Sequence, residues 1–281
     1  MSNVPVLQAV RAAEAFRRLH WRRAAGALAL VSLGNVAVVA ASSGDNVARE
    51  MLAQLVSPVC SAVAGGALLR LAFRDEHPGD PEFEPGRYGL QWRKPEWRLL
   101  GIFALLLFLF VLAILFVAFI SMLFGVVGAL TGALSPTSAD AGAVAPQVRA
   151  GGALLALTFF FGCGIVWLRL ILGGPATVAR KRIMLFQTWP LTKGQFWHIF
   201  AAWALINVPV GFLALLLAAL VAALVGSPTP NTATVGQLVL IGLLPGAIAG
   251  FVLAPLNFGL AAYLYRGLRQ GPDTAPEDIG V

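Results

Sequence analysis

Six stretches of this chain, each roughly 20 to 30 residues long, carry almost no charge, and that limits the fold more than any motif. They run over residues 24–42, 51–73, 99–130, 150–172, 199–225 and 236–265. A helix rises about 1.5 Å per residue and a hydrocarbon core is about 30 Å thick, so about 20 apolar residues cross it. The third and sixth stretches exceed one thickness, which predicts tilt, a kink or extension past the bilayer. None shows the alternating pattern of a membrane barrel strand. The expected fold class is all-α: a polytopic membrane protein with six transmembrane helices as three hairpins, joined by interfacial amphipathic segments. Residues 1–270 read as a single membrane domain. Residues 271–281 hold Asp273, Glu277, Asp278 and two prolines, and read as a disordered cytoplasmic tail.

Composition agrees with this class. The chain is 58% hydrophobic and 12% charged, whereas a soluble domain is about 25% charged. Val39-Ala40-Ala41 could serve as a signal cleavage site. The region before it is long, however, and the apolar run exceeds the usual length of about 7–15 residues, so the first stretch reads as a spanning helix.

Lys and Arg mark cytoplasmic loops. If all six stretches cross, every one of the 20 Lys and Arg residues except Arg49 and Arg149 falls on one side. That side is expected to be the cytoplasm, and both termini lie on it. The opposite segments, 43–50, 131–149 and 226–235, are short and lightly charged, and offer no ectodomain. Orientation accounts for the formal net charge of +7, so nothing in it calls for nucleic acid. Membrane lipids are the expected partners, with another membrane protein or self-association as further possibilities.

The hairpins resemble one another. Each odd-numbered stretch starts beside Trp and a basic residue or His: Trp21-Arg22-Arg23, Trp97-Arg98 and Trp197-His198. Each even-numbered stretch ends in Leu, an aromatic residue nearby and Arg, at Arg70, Arg169 and Arg266. Trp favours the headgroup level, and Arg can extend its guanidinium there from a stem in hydrocarbon. The three arginines are thus expected as end-of-hairpin anchors. Either an internal triplication or three independent uses of the same interface would give this pattern. Segments 88–97 and 176–197 mix apolar, aromatic and cationic residues, as helices lying in the membrane plane do. Val6–His20 is similar, with Leu7, Val10, Ala13 and Phe16 at near-helical spacing. Asp75–Glu84 is acidic, contains two prolines and reads as a loop.

Arg169-Leu170, Pro175-Ala176-Thr177 and the run Trp189-Pro190-Leu191-Thr192-Lys193-Gly194-Gln195-Phe196-Trp197 carry a resemblance. This region resembles bacterial six-helix inner-membrane proteins related to the membrane domain attached to some glycerophosphodiester phosphodiesterases. The segment Tyr88–Trp97 is also similar. The resemblance is specific over residues 169–197 and loose elsewhere. It implies a bacterial inner-membrane location and no activity, and no catalytic residue is carried over from it.

Candidate chemistry is sparse. No Asp or Glu falls inside the six stretches, and Arg70 and Arg169 are their only charges. Ionisable groups in a span are functional candidates by default. Snorkelling accounts for these two arginines, and a lipid-phosphate ligand is the sharper reading. Asn35, Asn207 and Asn257 read as interhelical hydrogen-bonding residues. Asn207 near Pro209 and Asn257 near Pro255 could instead line a midplane transport site. Ser57, Ser61 and Ser121 have no His or Lys partner in their stretches, which leaves nucleophilic catalysis without support. His20, His77 and His198 lack metal-ligand spacing, and Cys60 and Cys163 act as small apolar residues. No cofactor or metal is expected.

Gly242, Gly246, Gly250 and Ala254 recur every four residues and form a ridge for close helix packing. Gly128 and Gly132 form a shorter one, and Pro245 and Pro255 predict a kink in the sixth helix. The leading functional expectation is a non-enzymatic scaffold or accessory protein meeting lipid headgroups or a partner at the cytoplasmic interface. Its candidate contacts are Arg180, Lys181, Arg182 and Lys193 beside Trp189 and Trp197. The alternative is a transporter or lipid carrier with a site at the kinked helices.

Overall fold

Wherever the apolar stretches are described, they form helices. The computed structural model describes residues 5–41, 47–84, 86–134, 158–159, 161–225 and 242–270. Expectations for 43–46, 135–157, 226–241 and the tail 271–281 lie outside the described residues. We label the helices α1 (Val6–His20), α2 (Ala25–Ala41), α3 (Val47–Phe73), α4 (Lys94–Leu134), α5 (161–170), α6 (Gly173–Ala179), α7 (Phe196–Val225) and α8 (242–270). All regular structure among the described residues is helical. Among the described residues five helical segments are long and apolar enough to cross a membrane alone (in α3, α4, α5 with α6, α7 and α8), and a sixth crossing counts α1 and α2 as one bent pair. The protein is an all-α polytopic membrane protein.

The bend between α1 and α2 is 106°. It follows from the sequence on either side. α1 carries Arg11, Glu14, Arg17 and Arg18 on a partly apolar helix, and Arg18 pairs with Glu14 one turn away at 2.5 Å. α2 is uncharged over its 17 residues, about 25 Å of rise. A helix with a charged side and a uniformly apolar helix favour different depths in a bilayer.

The chain gathers into two compact units, residues 1–103 with 170–281, and residues 104–169. In the first unit, α2 lies along α3 with small residues at the seam: Ala27, Val31, Cys60, Val63, Ala64 and Ala67. A second cluster joins Ala24 and Leu28 to Leu68 and Leu71, closed by Phe16 of α1 and by Phe251, Ala254 and Phe258 of α8. Ala24 thus meets the end of α3 and Val31 its middle, so the two helices are antiparallel.

The ridge of small residues on α8 meets α2. A Cβ at Gly246 would stand 3.0 Å from the Ser32 carbonyl oxygen, and one at Gly250 would fall 2.1 Å from Ser32 Oγ and 2.7 Å from the Leu28 carbonyl oxygen. Only glycine permits that approach at 250. α8 widens there into a π turn over Ile248–Leu253, between the two prolines that predict a kink. Pro255 has no N–H for the Phe251 carbonyl, and π turns tend to occur where the α ladder is already interrupted.

In the second unit, the outer part of α4 is apolar on every side. Phe108, Leu112, Leu115, Phe116 and Phe119 are exposed, and Phe110 lies 6.5 Å from Phe159. A helix apolar all round suits hydrocarbon. Gly128 and Gly132 fall within α4.

Candidate functional site

One end of the first unit collects nearly all the charge of its described residues, around a buried ion pair. Arg70, in the last turn of α3, faces Glu96, in the first turn of α4, with Nη2 2.9 Å from Oε1. Both residues are 0% exposed. Glu96 stands at the third helical position after Arg93, and its Oε2 accepts the Arg93 backbone N–H at 2.8 Å. That is half of a capping box, and it places the carboxylate where the helix dipole favours a negative charge. A Cβ at Gly66 would lie 2.3 Å from Glu96 Oε1, so glycine makes room for the acid. The ion pair is close but not aligned as a hydrogen bond, and Arg70 Nε and Nη1 have no acceptor among the described residues.

This corrects two expectations. Arg70 does not extend to an interface; it turns inward to a carboxylate. An acid does lie within a long apolar helix, because α4 begins at Lys94 rather than at residue 99 and so includes Glu96.

The acidic segment after α3 is more ordered than a plain loop. It forms 3-10 turns at Arg74–Glu76 and Pro81–Phe83. Asp80 caps the second turn by accepting the Glu82 N–H at 3.0 Å. Phe83 is buried beneath His77, whose ring stacks on it at 4.2 Å. From this strap three acids, Glu76, Asp80 and Glu82, reach cations on other elements. Glu82 meets Arg98 at 3.3 Å and Lys94 at 3.9 Å. Glu76 meets Arg266 at 2.6 Å and Arg269 at 3.7 Å. Asp80 pairs with Lys181, whose ammonium also stands 5.7 Å from the Phe83 ring. The hydrogen bond from Lys181, then that from the Glu82 N–H, holds the Asp80 carboxyl below the usual range.

Arg266 is thus tied to protein on three sides: Glu76, the Ala72 carbonyl, and the Phe73 ring at 5.3 Å. It links the end of α8 to the end of α3. Arg169 sits half-buried on α5.

Segment 176–197 is not one amphipathic helix. α6 is almost wholly buried, and two 3-10 turns follow, Phe186–Thr188 and Pro190–Thr192. Pro190 and the left-handed Gly194 (φ 81°) prevent a longer helix. Buried hydroxyls hold the turns together. Thr177 Oγ1 accepts the Met184 N–H at 3.0 Å, and Thr188 and Thr192 donate to the Leu185 and Trp189 carbonyls. Met184 and Leu185 thus point inward, while Arg180, Arg182, Ile183, Phe186, Lys193, Trp189 and Trp197 are exposed, Trp197 at 73%. Lys181 adopts φ 55°, a left-handed conformation uncommon outside glycine, at the turn from which its side chain meets Asp80. Among the described residues Arg180, Arg182 and Lys193 form no ion pair.

Other aromatic residues share this end. Arg22 stacks 5.5 Å over Trp21. Trp92 and Trp97 meet edge to face at 5.1 Å, and both are exposed. His20 packs at 4.6 Å from Phe16. Burial, then Arg23, pushes its pKa below the ordinary value, with Asp75 opposing.

Away from this end, Asn207 and Asn257 satisfy each other. Asn207 Nδ2 donates to Asn257 Oδ1 at 2.8 Å, and Asn257 Nδ2 donates back at 3.0 Å. Asn207 also donates to the Trp203 carbonyl at 2.9 Å. Among the described residues no three His, Cys, Asp or Glu side chains gather as a metal site. Compared with known proteins, the chain matches no protein family, no curated protein and no solved structure.

Proposed function

We propose that this protein is a non-enzymatic scaffold or accessory protein of a bacterial inner membrane, with both termini cytoplasmic, that holds anionic lipid headgroups at its basic rim. The observation that carries the reading is the set Arg180, Arg182 and Lys193. These cations are exposed beside Trp189 and Trp197 and unpaired among the described residues, while their neighbours are neutralised by the strap. Attraction to an anionic surface is worth about 1 kcal/mol per nearby Lys or Arg. Tryptophan prefers the depth at which headgroup phosphates lie. The carrier alternative draws less support, because the two asparagines it would use spend their amides on each other.

The test is native mass spectrometry of the purified protein released from mixed micelles of phosphatidylglycerol and phosphatidylcholine. Arg180→Gln, Arg182→Gln and Lys193→Gln together should lower retained phosphatidylglycerol at least about tenfold, with phosphatidylcholine unchanged. Equal retention by both proteins would overturn the reading.

A further inference from the structure

The strap between α3 and α4 holds cations that a headgroup would otherwise engage. Asp80, Glu76 and Glu82 occupy Lys181, Arg266, Arg269, Arg98 and Lys94. We propose that the strap is a built-in competitor: its carboxylates and anionic lipid phosphates exchange for the same rim cations, Lys181 first. This regulation rests on the lipid-contact reading of the same rim.

The geometry favours exchange at Lys181. Its side chain is 40% exposed and that of Asp80 19%, so the pair is open to solvent on one side. Pairs of this kind are worth less than about a tenfold change in an equilibrium. A bilayer phosphate near a cation offers about fivefold. The two are closely matched, so lipid composition can decide between them. Lys181 also lies between Arg180 and Arg182, which are exposed and already attract phosphate.

Exchange needs no unfolding of the strap. Phe83 is 1% exposed and His77 stacks on it, so the strap is fixed by an apolar peg independent of its carboxylates. Only side chains need to rotate. The pairs at Glu76 are held more firmly, because Arg266 also bonds the Ala72 carbonyl and covers Phe73. Arg70 and Glu96 are fully buried and take no part.

The experiment measures phosphatidylglycerol retention by the full chain from the same mixed micelles. Asp80→Asn should raise it about fivefold by freeing Lys181. Glu84→Gln removes an equal charge from an exposed strap residue that forms no ion pair among the described residues, and should change nothing. Helix content by circular dichroism and a single peak on size exclusion establish that each variant is folded. If Asp80→Asn disturbs either, Lys181→Gln replaces it: the proposal then requires that this variant lose less retention than Arg182→Gln. Competition is overturned if Asp80→Asn leaves retention unchanged while the Arg180, Arg182 and Lys193 substitutions still lower it. It is also overturned if Glu84→Gln raises retention as much as Asp80→Asn. Absence of any preference for phosphatidylglycerol in all proteins overturns the lipid reading and the competitor with it.

Discussion

At the scale of single residues, the Arg70–Glu96 pair carries the largest stability consequence. Two buried charges rely on each other and, for Glu96, on the Arg93 N–H. Removing one partner strands the other, which costs about 3–5 kcal/mol, whereas replacing both with apolar side chains of similar volume is often neutral or better. Arg70→Met and Glu96→Met should each melt well below the parent in detergent. Arg70→Met with Glu96→Met should recover most of the loss. Additive losses in the double variant would mean that the residues act separately. The pair was hard to read from sequence for a definite reason. Glu96 sits among Trp92, Trp97, Arg93 and Lys94, a composition that reads as interfacial, and its partner lies on another helix. The available signal was local: an acid three positions after a helix start, followed by a long apolar run. His20 supplies a second residue-scale prediction. Its folded pKa is depressed by burial and by Arg23, so the unfolded chain binds more protons. The stability tied to this ring is complete above about pH 6.5 and is lost as pH falls through the lower folded value. Melting temperature should drop over that window, and His20→Gln should flatten it. Parallel curves for the two proteins would remove His20 as the cause.

At the scale of elements, helix location was legible and helix environment was not. Apolar length alone located α3, α4 and α7 to within about five residues, because lipid leaves the backbone no alternative to internal hydrogen bonding. The period-four ridge on α8 was visible as well, since small residues recur on one face of a helix. Its contact with α2, and the π turn at Ile248–Leu253, depend on which helix lies opposite, and sequence spacing does not record that. The strap was misleading for a related reason. Two prolines and several acids read as a loop, yet Phe83 buries and Asp80 and Glu76 find cations far away in sequence. The α7–α8 contact can be tested through its paired amides. Interhelical side-chain hydrogen bonds in membranes average about 0.6 kcal/mol and reach about 1.7. Asn207→Ala and Asn257→Ala should each destabilise by about 1 kcal/mol, and the double variant by less than the sum, because the second change removes an amide already unpaired. Unfolding in mixed micelles with increasing dodecyl sulfate measures this. Strict additivity would show that the two amides do not depend on each other.

At the scale of the whole molecule, the open quantity is the number of crossings, since five would place the termini on opposite sides and six on the same side. Length and composition give five helices that qualify alone, with α2 short of the requirement at 17 residues. Packing supplies what length does not. Ala24 meets Leu68 and Leu71 near the end of α3, and Val31 meets Cys60 and Val63 nearer its middle, so α2 runs beside α3 in the opposite direction. The α1 end of α2 lies beside the segment between α3 and α4: a Cβ at Gly89 would stand 3.2 Å from Ala24 Cα, and one at Gly26 would stand 2.9 Å from Leu90. The far end of α8 is there too, through Arg266 and Glu76. If α3 crosses, α2 crosses beside it. A shortfall of about 5 Å can be met by local thinning and by extension of Arg22 and Arg23 toward the headgroups. With Cys60 and Cys163 replaced by Ala, a cysteine at Ser2 and one at Thr274 should both react with a membrane-impermeant maleimide from the cytoplasmic face alone. A cysteine at Thr137 should react from the opposite face alone. Labelling of Ser2 and Thr274 from opposite faces would mean that α2 does not cross. The cations of α1 would then face away from the end of α3, against the packing of Ala24 with Leu68 and Leu71.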